Sequence, residues 1–262
     1  MGILNVTPDS FSDGGLFLDP AKAISHALDL TSQGADILDI GGESSRPGAE
    51  RIEPGIQIAR ILPVITKLRE MNVEIPISVD TTREEVAVAA MSVGADIIND
   101  VSGLREAPRL ADLAAEESGA LILMHMRGTP ATMQVDTEYS DLIGETKEFL
   151  FRQAVCAESA GLPPERVWLD PGIGFGKSIA GNLEILRHLE EYDTLGHPLV
   201  IGVSRKSFIG GILSRSPKER LPGTLAVTSY LAGKGTHRIH RVHDVKEVSD
   251  CLRMVEALQG GI

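Results

Sequence analysis

Eight short apolar segments punctuate this chain of 262 residues, and nearly every one runs straight into polar residues that a hydrophobic core rejects. Ile3-Leu4 meets Asn5, Ile37-Leu38-Asp39-Ile40 meets Gly41-Gly42-Glu43, and Ile77-Ser78-Val79 meets Asp80. Ile97-Ile98 stops at Asn99-Asp100, Leu121-Ile122-Leu123-Met124 at His125, and Val167-Trp168-Leu169 at Asp170. Leu199-Val200-Ile201-Gly202-Val203 leads to Ser204-Arg205-Lys206, and Ile239 to Arg241 and His243. In a closed parallel barrel every strand C-terminus opens on one face, and active sites are built there. The pattern predicts that residues far apart in the chain converge on one polar mouth.

Amphipathic stretches lie between these segments, at about Pro20–Gln33, Pro54–Met71, Glu84–Val93, Pro108–Ser118, Tyr139–Ala160, Asn182–Tyr192, Ser207–Ser214 with Gly223–Ala232, and Val245–Leu258. Strand and helix thus alternate eight times, the signature of a parallel sheet. A weak repeat, Gly34-Ala35-Asp36-Ile37, Gly94-Ala95-Asp96-Ile97 and Gly119-Ala120-Leu121-Ile122, places a helix-ending glycine before a buried strand. An open doubly wound sheet has the same alternation, but eight units with polar ends favour closure. The expected fold is therefore α/β, a single-domain (β/α)8 TIM barrel over residues 1–262, close to the ~250 residues such a barrel needs. Three βα loops look long, Thr7–Asp19, Gly42–Glu53 and Met126–Asp136, and the first two have the Gly, Pro, Ser and Asp content of lids.

A net charge of −12 argues against a nucleic-acid partner, which calls for a basic face, while leaving room for an anionic small molecule at a local basic cluster. Two cysteines, Cys156 and Cys251, lack metal-ligand spacing and predict a reducing cytoplasm rather than a disulfide framework. No apolar run reaches the roughly 20 residues of a membrane span, and no signal-peptide succession opens the chain.

The strand ends carry the candidate chemistry. Asn5 offers a hard carbonyl oxygen suited to Mg²⁺ that bridges to phosphate, or else it bonds its own turn. Ser45 and Arg46 set a hydroxyl and a guanidinium beside a turn, and an Arg fork matches phosphate geometry. Asp80, Asn99 and Asp170 fall at similar depth. Together they suit a flat heterocycle with N–H donors, though metal coordination or capping of the following helices would use the same residue types. Gly172-Ile173-Gly174-Phe175-Gly176-Lys177 lacks dinucleotide or P-loop spacing, so its glycines are read as allowing close backbone approach to a ligand. Ser204-Arg205-Lys206-Ser207 opens a helix, whose N-terminus favours anions. Lys206 is read as a point charge rather than a Schiff-base nucleophile. Period-two alternation sets Arg241 and His243 on one side of the last strand end, with His240 on the other.

Those segments, in this order, resemble the dihydropteroate synthase family from Met1 to about Leu258. The carriers are Gly2-Ile3-Leu4-Asn5-Val6-Thr7-Pro8-Asp9-Ser10-Phe11-Ser12-Asp13-Gly14-Gly15, Asp39 through Gly48, Asp170-Pro171-Gly172 with Phe175-Gly176-Lys177, Ser204-Arg205-Lys206-Ser207 and Arg241-Val242-His243-Asp244. Ser45 and Ile173 stand where many members carry Thr and Phe, and members often have a β-hairpin before the first strand. The resemblance implies transfer of a pterin from 6-hydroxymethyl-7,8-dihydropterin diphosphate to 4-aminobenzoate, with Mg²⁺. It implies that Asp80, Asn99, Asp170 and Lys206 hold the pterin, with Met124 against the ring. Asn5 would meet the metal–diphosphate, Ser45, Arg46, Arg241 and His243 the diphosphate, and Ser207 the aminobenzoate carboxylate. It also implies a homodimer and sulfonamide sensitivity of the family. Because an aromatic amine is a weak nucleophile, the residue chemistry suits an SN1-like departure of diphosphate, with Lys206, Asp80, Asp170, Arg241 and His243 as the catalytic set. The rivals are a methyltetrahydrofolate methyltransferase and a non-catalytic pterin-binding paralogue. Lys206, Arg241 and His243 favour the synthase.

Overall fold

The computed structural model describes residues 1–7, 19–44, 48–234 and 238–260. Eight strands join in chain order: β1 (Gly2–Asn5), β2 (Leu38–Gly41), β3 (Ile77–Asp80), β4 (Ile97–Asp100), β5 (Ala120–Met124), β6 (Val167–Asp170), β7 (Leu199–Ile201) and β8 (Arg238–His240). Every neighbouring pair is parallel. The sheet then closes on itself. Gly2 bridges in parallel to Val242, Ile3 N donates to Val242 O at 2.9 Å, and Val242 N donates to Met1 O at 2.9 Å. The fold is the expected TIM-like barrel, not the open sheet.

Helices lie outside: α1 (Pro20–Ser32), α2 (Pro54–Glu70), α3 (Glu84–Ser92), α4 (Leu110–Glu116), α5 (Leu142–Ser159), α6 (Ile179–Arg187), α7 (Glu190–Asp193), α8 (Ser207–Leu213), α9 (Leu221–Ala232) and α10 (Val245–Leu258). Their starts follow local chemistry. Asp19 caps α1 by accepting from Ala21 N at 2.9 Å, and the Ser178 hydroxyl accepts from Gly181 N at 3.1 Å to open α6. The single helix expected over Asn182–Tyr192 is two. His188 leaves helical geometry at φ −110°, ψ 27°, and the break carries both Leu189 and Tyr192 into the core. No helix among the described residues is long and apolar enough to cross a membrane.

The repeat of helix-ending glycines holds twice out of three. Gly34 and Gly94 have φ of +95° and +102°, the left-handed turn that a side chain resists. In the third copy Ser118 takes the left-handed position at φ +53°, and Gly119 is required for space, since a Cβ there would lie 2.9 Å from Asp96 O.

Alternation along the strands divides the barrel interior into levels. Ile37, Ile97, Ile122 and Val200 pack with Trp168 and Ile239 as an apolar floor. The opposite strand faces, such as Leu38, Ile40, Val79, Leu121 and Leu169, pack outward against the helices. Above the floor the inward positions turn polar. Register aligns them: Asn5 pairs with Gly41, Gly41 with Asp80, Asp80 with Asn99, and Met124 with Asp170. The barrel therefore lifts these side chains to one rim.

Candidate active site

The rim is built around one guanidinium. Arg241, just beyond β8, donates from Nε to Asp39 Oδ2 at 2.6 Å, and its Nη2 lies 2.5 Å from the same oxygen and 2.8 Å from Asp80 Oδ2. Asn99 Nδ2 lies 3.2 and 3.3 Å from the two Asp39 oxygens and donates to them. Asp80 is thus not a helix cap, since α3 begins after Arg83 and Asp80's carboxylate is taken by Arg241. Burial would lower the Arg241 pKa, but the Asp39 and Asp80 carboxylates outweigh it and hold the guanidinium charged above its ordinary range. Burial pushes Asp80 up to about 7 even against the pull of Arg241, with Asp39, Asp100 and Glu43 adding negative charge nearby.

Across the mouth, Asp170 accepts from Gly172 N at 2.7 Å, so one of its oxygens shapes the turn after β6. Burial raises its pKa, opposed by that N–H and by Lys206. Lys206 donates from Nζ to Ile173 O at 2.7 Å, and the ammonium sits 4.0 Å from the centre of the Phe175 ring. Burial brings it down to about 7, while Asp170 favours its charged form and Arg241 disfavours it. A carboxylate and a lysine near neutrality, a second carboxylate raised by burial and a fixed guanidinium are the titrating ensemble expected of a functional site. Met124 closes one wall with Val101, Met126 and Met133, and Phe175 packs against them. Beside Asp80 a small cleft opens, lined by Ser44, Arg51, Thr81, Glu106, Met126 and Pro130 among others.

The structure brings Asp80, Asn99, Met124, Asp170, Lys206 and Arg241 to this rim. Arg241 and His243 share a side of the strand end but lean differently: the His243 ring meets the Ser204 hydroxyl at 3.0 Å, and its backbone N–H also donates to that oxygen. Ser207 is exposed at the first position of α8. Ser45 and Arg46, and most of the first expected lid, lie outside the described residues. Asn5 stands half-buried at the end of β1, where a Cβ on Gly41 would come 3.7 Å from its Oδ1 and 3.5 Å from Asp80 Cβ. Among the described residues no group of three or more His, Cys, Asp or Glu side chains could hold a metal ion. Asn5 could offer a divalent ion one amide oxygen, leaving water and substrate oxygens to supply the rest of the shell of a hard cation such as Mg²⁺.

Two features escaped the sequence reading. Asp39 is fully buried one level below the strand ends, and the only sign was a charge inside an apolar run. Lys177 and His125 form a buried pair: Lys177 Nζ lies 2.9 Å from His125 Nδ1 and donates to Phe175 O at 3.0 Å. Burial, with Lys177 and two arginines nearby, depresses His125 to about 2, so the imidazole is neutral. Burial likewise lowers Lys177 to about 7. His125 thus anchors the loop after β6.

Comparison with known proteins agrees with this geometry. The family model described as pterin binding enzyme matches residues 1–243. The dihydropteroate synthase of Synechocystis sp. is 49% identical over 98% of this chain and 89% of its own length. The crystal structure of the Yersinia pestis dihydropteroate synthase with a sulfonamide drug superposes with a TM-score of 0.92 at 40% identity, covering 99% of this chain and 93% of that one. The Xanthomonas albilineans dihydropteroate synthase with 4-aminobenzoic acid gives 0.90 at 42% identity, covering 98% and 92%.

Proposed function

Since this chain belongs to the pterin-binding enzymes and, among them, to the dihydropteroate synthase family, we propose that it joins 6-hydroxymethyl-7,8-dihydropterin diphosphate to 4-aminobenzoate, releasing 7,8-dihydropteroate and diphosphate. Its named relatives make it a transferase of a group other than methyl. The observation that carries the substrate reading is the placement of Asp80, Asn99 and Asp170 at one rim with Lys206 and Arg241. Acidic and amide acceptors on that rim match a ring rich in N–H donors, and Arg241 supplies a fixed positive charge suited to a leaving diphosphate.

In this reading Asp80, Asn99 and Asp170 grip the pterin edge, Lys206 donates to the ring, and Met124 packs on its face. Arg241 and His243, with Ser45 and Arg46, meet the diphosphate, and Ser207 at the start of α8 receives the aminobenzoate carboxylate. Asn5 would hold Mg²⁺, which when bound supplies Lewis-acid neutralisation of the diphosphate oxygens. The pterin C–O bond loosens first, the two aspartates stabilise positive charge spreading into the ring, and the arylamine nitrogen then attacks the methylene carbon. The proton it sheds leaves to solvent. The order is SN1-like because the arylamine is too weak a nucleophile to force the bond.

A steady-state assay of diphosphate release tests the reading. Turnover is expected only with both substrates present, and release that ignores 4-aminobenzoate would refute it. An α-secondary isotope effect at the pterin methylene well above unity is the expected mark of the loosened bond. The methyltransferase alternative finds no support in the relatives, which are synthases.

A further inference from the structure

We propose that Asp39 is a positioning residue, the standing counter-ion of Arg241, which lets Asp80 release the guanidinium and accept ring N–H donors without stranding a cation in the barrel. The proposal rests on the pterin reading above, and it adds a residue and a role to it.

The geometry is uneven in a telling way. Two nitrogens of Arg241 converge on Asp39 Oδ2, at 2.6 and 2.5 Å, whereas a single nitrogen reaches Asp80, at 2.8 Å. Asp39 has no access to solvent, while the Asp80 side chain keeps 9% of its surface exposed. One carboxylate is therefore buried beneath the guanidinium and the other borders the mouth. A buried charge stripped of its partner is strongly destabilising. If Asp80 were the sole partner, a ligand taking Asp80 would have to bear that cost for Arg241. With Asp39 beneath, it need not.

The amino-pyrimidinone edge of a pterin presents adjacent N–H donors, much as a guanidinium does. Arg241 thus occupies Asp80 in the way the ring would, and exchange of one for the other is chemically like for like. Asp39 prepares a second contact at the same time. By accepting from Asn99 Nδ2 through both carboxylate oxygens, beside the bond from Arg241, it fixes the amide so that the nitrogen faces the network and the carbonyl is left as the acceptor. The other charged groups around Asp80 are Lys206, a cation, and the carboxylates of Glu43 and Asp100. Glu43 accepts from Ile52 N at 2.7 Å and Asp100 from Ser102 N and Leu104 N at 2.8 and 2.6 Å, so both carboxylates are engaged by backbone N–H groups while Asp39 is the one beneath Arg241.

The test is a cycle of Asp39→Asn, Arg241→Ala and the double variant in the full chain. It is read by melting temperature, by calorimetric affinity for 6-hydroxymethylpterin, and by kcat and KM. Asp39→Asn keeps the side chain's size and an acceptor for Asn99 but removes the charge. Arg241 then falls to Asp80 alone, and pterin affinity is expected to drop about tenfold or more, the scale of one charge-assisted hydrogen bond. Arg241→Ala strands Asp39 and lowers the melting temperature. Adding Asp39→Asn to it is expected to restore the melting temperature while pterin affinity and kcat stay where Arg241→Ala left them. This pair remains decisive if Asp39→Asn alone does not fold. Additive losses of melting temperature in the double variant, or wild-type pterin affinity in Asp39→Asn, would overturn the role of Asp39. Failure of the wild-type protein to bind 6-hydroxymethylpterin would instead bring down the pterin reading, and this proposal with it.

Discussion

Asp80 and Lys206 titrate towards each other from opposite ends of the scale, both driven to about 7 by burial. The sign of each limb follows. Asp80 must be ionised to accept ring donors, so kcat/KM for the pterin substrate rises with pH through the Asp80 transition. Lys206 must stay protonated to donate, so kcat/KM falls as pH climbs through its own. A narrow bell centred near neutrality is expected, and Asp80→Asn should remove its acid limb while leaving the alkaline one. Asp170 is poised differently, one oxygen being held by Gly172 N. Asp170→Asn should weaken pterin binding by about 1.5–3 kcal/mol for each charged hydrogen bond lost, and titration calorimetry showing unchanged affinity would remove it from the ring site. At this scale the sequence was legible wherever a polar residue ended an apolar run, as at Asp80, Asn99 and Asp170. It was opaque at Asp39, whose partners Asn99 and Arg241 lie 60 and 202 positions away. Nothing local distinguishes such a residue from an ordinary strand interruption.

The strands were readable because each is a short β-branched run, and their common level follows from parallel register alone. The loops were less so. The turn after β6 is shaped by contacts that no local pattern announces: Lys177 Nζ reaches His125 O at 3.3 Å, Tyr139 OH donates to Gly176 O at 2.9 Å, and Gln134 Nε2 donates to Gly174 O at 3.1 Å. The loops after β5 and β6 are thereby bound together behind Lys206 and Asp170. Gly172 is the tightest point, with φ +71° and a would-be Cβ only 1.8 Å from His125 O. Gly172→Ala should destabilise the fold by at least the ~1–2 kcal/mol that a left-handed backbone costs a side chain. It should also displace the Asp170 contact, so that the urea midpoint and pterin affinity fall together. An unchanged midpoint would show that the loop relaxes freely. The split of the expected helix at His188 has a similar origin: burying Leu189 and Tyr192 outweighs continuing the helix, and periodicity counts only the local term.

At the scale of the molecule, several neighbouring helices keep apolar side chains in water. Phe151 and Val155 on α5, Ile179 on α6, Ile212 and Leu213 on α8 and Tyr230 on α9 are all exposed. A lone exposed leucine needs no explanation, but a series along adjoining helices is what an oligomer covers. We therefore propose a homodimer through this side. Sedimentation equilibrium should return twice the chain mass, and Phe151→Glu should shift the equilibrium towards the monomer. A wild-type protein that sediments as a monomer at micromolar concentration would sink the proposal.

The seam between β1 and β8 has a kinetic consequence. Arg241 stands beside Val242, whose backbone completes the ring by bonding to Met1 and Ile3. Joining these two ends bears the loop-closure entropy of almost the entire polypeptide, which favours a late event in folding. Helices can gather and much of the apolar surface can be hidden before that event, yet the guanidinium reaches its acidic partners only with it. Recovery of catalysis after dilution from denaturant should therefore trail the return of helical ellipticity, and a chain stalled one strand short would be compact but inert.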